Sequence, residues 1–172
     1  MYALGVYLFH DKVSAAVFIA AALALIVLRL LLSRSPIARL WRLPLGFAAL
    51  VIVLVALADQ AVAAKTYPVV MSLAAASTFA ISLLRPPSLI ERFARIRKPV
   101  LPNGAVEYCR GLTAIWAGWL LANAAITAAL GEWASLQVWT LWTGLLSYLG
   151  SGALFFGEMA YRHLWIERRR RP

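Results

Sequence analysis

The chain has 172 residues, 63% of them hydrophobic and 14% charged, with a formal net charge of +10 and a mean hydropathy of +0.78. A soluble domain carries about 25% charged residues, and a core of this size cannot hide so much apolar surface, so an ordinary soluble fold is excluded and lipid is required. The single cysteine, Cys109, excludes an internal disulfide and any multi-cysteine metal site.

In chain order, residues 1–9 are apolar but as helix would reach only about 13 Å. They end at His10-Asp11-Lys12 and lack both the preceding basic residues and the small-residue cleavage site of a signal peptide. They read as an interfacial or re-entrant stub, or as the remnant of a sixth span. A bilayer core of about 30 Å needs about 20 apolar residues in helix. Residues 13–32 meet that, with Arg29 one turn from their end. Residues 43–64 are the second predicted span, carrying Asp59 and Gln60 in the last third. Asp59 is expected near the outer interface, paired with Lys65 or meeting water. Residues 68–84 are the third predicted span, 111–130 the fourth and 138–161 the fifth. Open-edged sheets cannot cross lipid, and the alternating segments of a barrel are missing. The expected fold class is therefore all-α, a single polytopic transmembrane helical bundle over residues 1–172.

Between the third and fourth spans, residues 85–110 form the longest polar segment. Pro86-Pro87 stops the third span, and Ser88 with Glu91 three residues on has the capping-box spacing. At 100° per residue Leu89, Ile90, Phe93 and Ile96 share one face, while Glu91, Arg95 and Lys98 share the opposite one. Glu91 and Arg95 are spaced for an i,i+4 pair. Arg97 sits near the apolar arc and is long enough to snorkel. A short basic amphipathic helix on the inner leaflet is predicted, ended by Pro99, Pro102 and Asn103-Gly104. It serves either as a charged topological anchor or as a docking surface for a cytosolic partner or a lipid headgroup.

In the fourth span Trp116, Trp119, Asn123 and Thr127 line one face, and Ala114, Gly118, Ala122, Ala125 and Ala129 the opposite one. Small faces let membrane helices approach closely, so the second face is expected to meet a neighbour, most simply the fifth span. Asn123 is expected to find a hydrogen-bond partner, or to contact a polar ligand, because an unpaired amide in hydrocarbon is costly. The fifth span carries a polar seam of Thr140, Thr143, Gly144, Ser147, Gly150, Ser151, Glu158 and Tyr161, with Arg162 at its edge. Glu158 is placed for an i,i+4 pair with Arg162, and as an ionisable residue in a span it is also a candidate functional group.

Fifteen of the 17 Lys and Arg fall on one side of this arrangement. They are Arg29, Arg34, Arg39 and Arg42; Arg85, Arg92, Arg95, Arg97, Lys98 and Arg110; and Arg162 with Arg168, Arg169, Arg170 and Arg171. Only Lys12 and Lys65 fall on the other side. The positive-inside rule then puts the N-terminus outside and the C-terminus in the cytoplasm. The charge is expected to serve topology and attraction to an anionic inner leaflet rather than nucleic acid. Catalytic constellations are missing: His10 and His163 lie on opposite sides, no Cys-His spacing suits zinc, and there is neither a phosphate loop nor a G-x-S-x-G. Neither an enzymatic role nor a cofactor is expected.

The run Leu83-Leu84-Arg85-Pro86-Pro87-Ser88-Leu89-Ile90-Glu91-Arg92-Phe93-Ala94-Arg95 carries a resemblance, together with Leu101-Pro102, Ala105-Val106, Tyr108, Arg110, Trp116 and Leu154-Phe155-Phe156-Gly157-Glu158. The chain resembles the uncharacterised small inner-membrane proteins of aryl-polyene (xanthomonadin-type) pigment gene clusters over roughly residues 68–162, and more distantly the intracellular septation family. Neither family supplies an established catalytic residue. The first resemblance implies an accessory role at the bacterial inner membrane, where lipid-linked polyene chains are made and moved outward. Expected partners are the bilayer and cytosolic biosynthetic enzymes, with a homo-oligomer left open. Candidate functional residues are Arg85, Glu91, Arg92, Arg95, Tyr108, Arg110, Asn123, Glu158 and Arg162. Besides a scaffold, a transport component for an acyl or lipid substrate and an envelope or septation factor are the readings carried forward.

Overall fold

The computed structural model describes residues 36–163, together with Leu25 and Leu28, both helical. The N-terminal stub, most of the first predicted span and the C-terminal arginine run lie outside the described residues. Among the described residues the chain is all-helical, in the order α1 (Pro36–Ala58), α2 (Gln60–Leu84), α3 (Leu89–Arg97), α4 (Ala105–Trp133), α5 (Leu136–Leu141), a π-helical stretch (Trp142–Leu146) and α6 (Ser147–Tyr161). Among the described residues, three helical segments are long and apolar enough to cross a membrane: Arg39–Ala58, Ala61–Leu84 and Ala105–Trp133.

The turn between the first two helices is a single residue, Asp59, with extended backbone, and its carboxylate accepts from the amides of Ala61 and Val62 at 2.7 and 3.1 Å. Apolarity continues unbroken through this point, so hydropathy places the boundary some six residues too late; the N-cap decides it. Asp59 is thus a cap rather than the partner of Lys65, whose ammonium donates to the Gly131 carbonyl at 3.4 Å. Pro68 lies inside α2, as its ninth residue, instead of opening a span. A proline within a membrane helix is tolerated where neighbouring groups take up the freed carbonyls.

α1 and α2 mesh through Leu45, Ala48 and Ile52 on one side and Ala63, Val70 and Ala74 on the other, all buried. α4 packs against the other flank of α2, where Phe79 and Trp116 stack with ring centroids 6.2 Å apart. The packed face of α4 is the one bearing Trp116, Trp119, Asn123 and Thr127, with Thr127 fully buried. The small face is not the packed one. Ala114, Gly118, Ala122 and Ala125 are exposed, and a Cβ built on Gly118 would meet nothing within 4 Å. Indole rings and hydrogen-bonding side chains outweigh close backbone approach as the source of attraction on this helix.

The predicted fifth span is helical without interruption over residues 136–163, Ser135 capping it through the Val138 amide. At Ser147 the amide reaches back to the Trp142 carbonyl, the wider π pattern that marks an inserted residue. The polar seam faces inward, with Thr140 and Thr143 buried and Ser147, Gly150, Ser151 and Glu158 half-buried, while Tyr161 is exposed. Among the described residues, Trp139 Nε1 and Thr140 Oγ1 are buried without a hydrogen-bond partner.

Candidate functional site

The candidate residues gather at one end of the bundle, around α3, and along the seam between α4 and the final helix. A helix of nine residues has no stability of its own, so something must hold α3. Its local capping box does not form: the Ser88 side chain makes no cap, and its hydroxyl is buried without a partner among the described residues. The neighbouring helices cap it instead. Ser82 Oγ, at the end of α2, accepts from the Leu89 amide at 2.9 Å while donating to Phe79 O at 2.7 Å. Thr113 Oγ1, on α4, accepts from the Ile90 amide at 3.4 Å while donating to Cys109 O at 2.6 Å. Each hydroxyl uses its one proton inside its own helix and turns a lone pair toward α3. Substituting a capping hydroxyl costs about 0.5–2 kcal/mol, so the pair contributes substantially to holding so short a helix.

The same docking decides which side chains of α3 are covered by the bundle. Leu89 is buried, but so is Glu91, whereas Phe93 and Ile96 are exposed at 49% and 69%. A buried carboxylate must be paired. Glu91 Oε1 accepts from Arg95 Nε at 2.9 Å and lies 2.7 Å from Arg95 Nη2, as the spacing predicts. Arg95 Nη1 also donates to Pro99 O at 3.1 Å, fastening the chain that leaves the helix. Arg92 Nε donates to Pro87 O at 2.8 Å and its Nη2 to Arg85 O at 3.1 Å, closing the Pro86-Pro87 link, whose peptide bond is cis. The guanidinium groups of Arg92 and Arg95 therefore hold the segment's own backbone. Arg85, Arg97, Lys98 and Arg110 are exposed at this end, as are the paired Arg95 and Arg162.

Three residues join α4 to the end of α6. Tyr108 OH donates to Glu158 Oε1 at 3.0 Å, and Arg162 Nε stands 3.5 Å from the same oxygen. The i,i+4 pair is thus present, but Tyr108, fifty residues away in sequence, is the shorter contact. Tyr108 and Thr113 lie five residues apart on α4, so the end of α6 and the start of α3 attach to neighbouring turns of that helix.

Midway along the bundle, Asn123 joins three helices. Its Nδ2 donates to Ser72 Oγ of α2 at 3.1 Å, and its Oδ1 accepts from Trp142 Nε1 at 3.1 Å. Asn123 is thus a structural node, its amide occupied on both sides. One turn away, Trp119 Nε1 donates to Ser151 Oγ at 2.9 Å, and its ring lies so close over Gly150 that an added Cβ would fall 2.4 Å from it. Ser72, Ser82 and Thr113 are the site residues that sequence reasoning missed, whereas Trp119 and Gly150 were placed on their helix faces without their mutual contact. The available signal was a hydroxyl at the end of each apolar run flanking α3.

Among the described residues no group of three or more His, Cys, Asp or Glu could hold a metal ion. No family model matches the chain, and neither a curated protein nor a solved structure matches it.

Proposed function

We propose that this is a five-span protein of the bacterial inner membrane, N-terminus outside and C-terminus cytoplasmic, acting as a non-enzymatic scaffold for cytosolic enzymes that build aryl-polyene or related lipid-linked chains. The orientation is supported by the fifteen cations on one side of the predicted spans. The chemical setting is supported by the resemblance around Arg85–Arg95.

The single observation that carries the scaffold reading is the way α3 is fixed. A simple topological anchor needs positive charge and no particular shape. Here α3 is capped by two other helices and ion-paired internally, and it presents Phe93, Ile96 and Val100 beside Arg97 and Lys98, all exposed. An apolar edge flanked by cations suits the boundary between an anionic leaflet and an acidic protein surface. Because Arg92 and Arg95 are occupied by the backbone, recognition falls to the outer edge.

The test compares Phe93→Ser with Ile96→Ser, and separately Arg97→Glu with Lys98→Glu, against wild type. Pigment yield and co-purification of the cytosolic synthesis enzymes are expected to fall while membrane fractionation stays unchanged. Full yield in both double variants would return α3 to the role of an anchor. A transport component for a lipid or acyl substrate is the second reading, favoured by an open apolar groove between α4 and α6.

A further inference from the structure

That groove has a definite construction. α4 and α6 are joined at Trp119–Ser151 and at Tyr108–Glu158, and between these cross-links they stand apart. The space between them is about 410 Å³ and opens outward. This lies within the range of about 300–1,000 Å³ usual for ligand sites. Its walls are Gly111, Leu112 and Ile115 on α4 and Ala153, Leu154 and Gly157 on α6. Both glycines border open space: among the described residues, a Cβ added at either would meet nothing within 4 Å. From Tyr108 to Ile115 the wall runs about 10 Å along the helix axis.

In a bilayer, an open apolar slot on a helix pair is filled by the surrounding solvent, which is acyl chain. The rim narrows the choice of lipid. It carries one carboxylate and one guanidinium, Glu158 beside Arg162, the latter's side chain 57% exposed. Both protein contacts to the carboxylate fall on Oε1, so Oε2 takes part in neither. A net-anionic headgroup would be drawn to Arg162 and repelled by Glu158, and a choline headgroup has no N–H to donate. An ethanolamine headgroup matches both charges.

We propose that the α4–α6 groove seats one acyl chain of an ethanolamine phospholipid, its ammonium donating to Glu158 and its phosphate meeting Arg162. The inference rests on the part of the functional reading that sets α4 and α6 in a bilayer, and not on α3 as a docking edge.

The test uses the full chain in detergent micelles with equimolar palmitoyl-oleoyl phosphatidylethanolamine, phosphatidylcholine and phosphatidylglycerol, counting retained lipids by native mass spectrometry. One retained phosphatidylethanolamine is expected, favoured about ten-fold or more, as one charge-assisted hydrogen bond provides. Glu158→Gln keeps an acceptor for Tyr108 and is expected to abolish the preference. Gly157→Leu and Gly111→Leu fill the groove from opposite walls and are each expected to abolish retention, so a folding failure in one leaves the other decisive. Equal retention of the three lipids, a preference for phosphatidylglycerol, or retention unaffected in a folded leucine variant would overturn the proposal. No retained lipid of any class would overturn the proposal but not the membrane placement of α6, which membrane fractionation reads separately, whereas loss of enzyme co-purification bears only on α3.

Discussion

Between α1 and α2 the contact is a continuous apolar mesh, in which Leu45, Ala48 and Ile52 interlock with Ala63, Val70 and Ala74, and Trp41, Val51, Tyr67 and Met71 close around them. Between α4 and α6 the contact is made at points, Trp119 on Gly150 and Ser151, then Tyr108 on Glu158, with an open groove between. Lipid tails are as apolar as leucine, so the first kind of contact depends on shape alone and tolerates no gap. The second kind is anchored by hydrogen bonds, which fix distance without requiring the intervening surface to be filled. A membrane protein thereby obtains a rigid pair and a pair with room for a ligand from the same residue classes.

Breaking the mesh is expected to have the largest effect. Ile52→Ala removes a fully buried side chain and is expected to cost about 2–5 kcal/mol, read as a lowered unfolding midpoint in detergent. At the Trp119 contact, Gly150→Ala forces the ring aside and is expected to cost about 1–3 kcal/mol. In a Trp119→Phe background, where the colliding ring atoms are gone, the same change should cost little. Additive losses in the double-mutant cycle would show that the two residues do not touch. Asn123→Leu leaves Trp142 and Ser72 without their shared partner at similar volume, and a loss of about 1 kcal/mol is expected, near the upper part of the range for interhelical hydrogen bonds in membranes. The smallest effect sharpens the comparison from outside: Gly118→Leu, on the open face of α4, is expected to shift stability by no more than about 0.5 kcal/mol. A large loss there would mean that a second surface packs on this face.

What hydropathy reads well in this sequence is where helices are, because a run of some twenty apolar residues has one outcome in lipid. It reads their ends poorly. The Asp59 turn lies inside an apolar stretch, and only the cap on Ala61 and Val62 separates α1 from α2. The local signal at Ser88 and Glu91 fits a capping box, yet the hydroxyls of Ser82 and Thr113 take that role from other helices, which no short-range spacing reveals. Once α3 is docked in this way, Glu91 turns inward against the bundle, while Phe93 and Ile96 stay exposed. The pairs at Glu91–Arg95 and Glu158–Arg162 were legible because i,i+4 neighbours meet on any helix. The need for glycine at position 150 was not, because it is set by an indole from α4.

The claim on which the rest depends is that α3 is a platform on the cytoplasmic side, one membrane crossing away from the turn before α5. Cys109, the only cysteine, is buried, and Cys109→Ser supplies a clean background. Lys98→Cys, just beyond α3, and Gln137→Cys, in α5, are both at exposed positions. With a membrane-impermeant maleimide, Gln137→Cys is expected to label in intact cells and Lys98→Cys only after the membrane is opened. Labelling of both from the same side, or of Lys98→Cys alone in intact cells, would contradict the cytoplasmic platform.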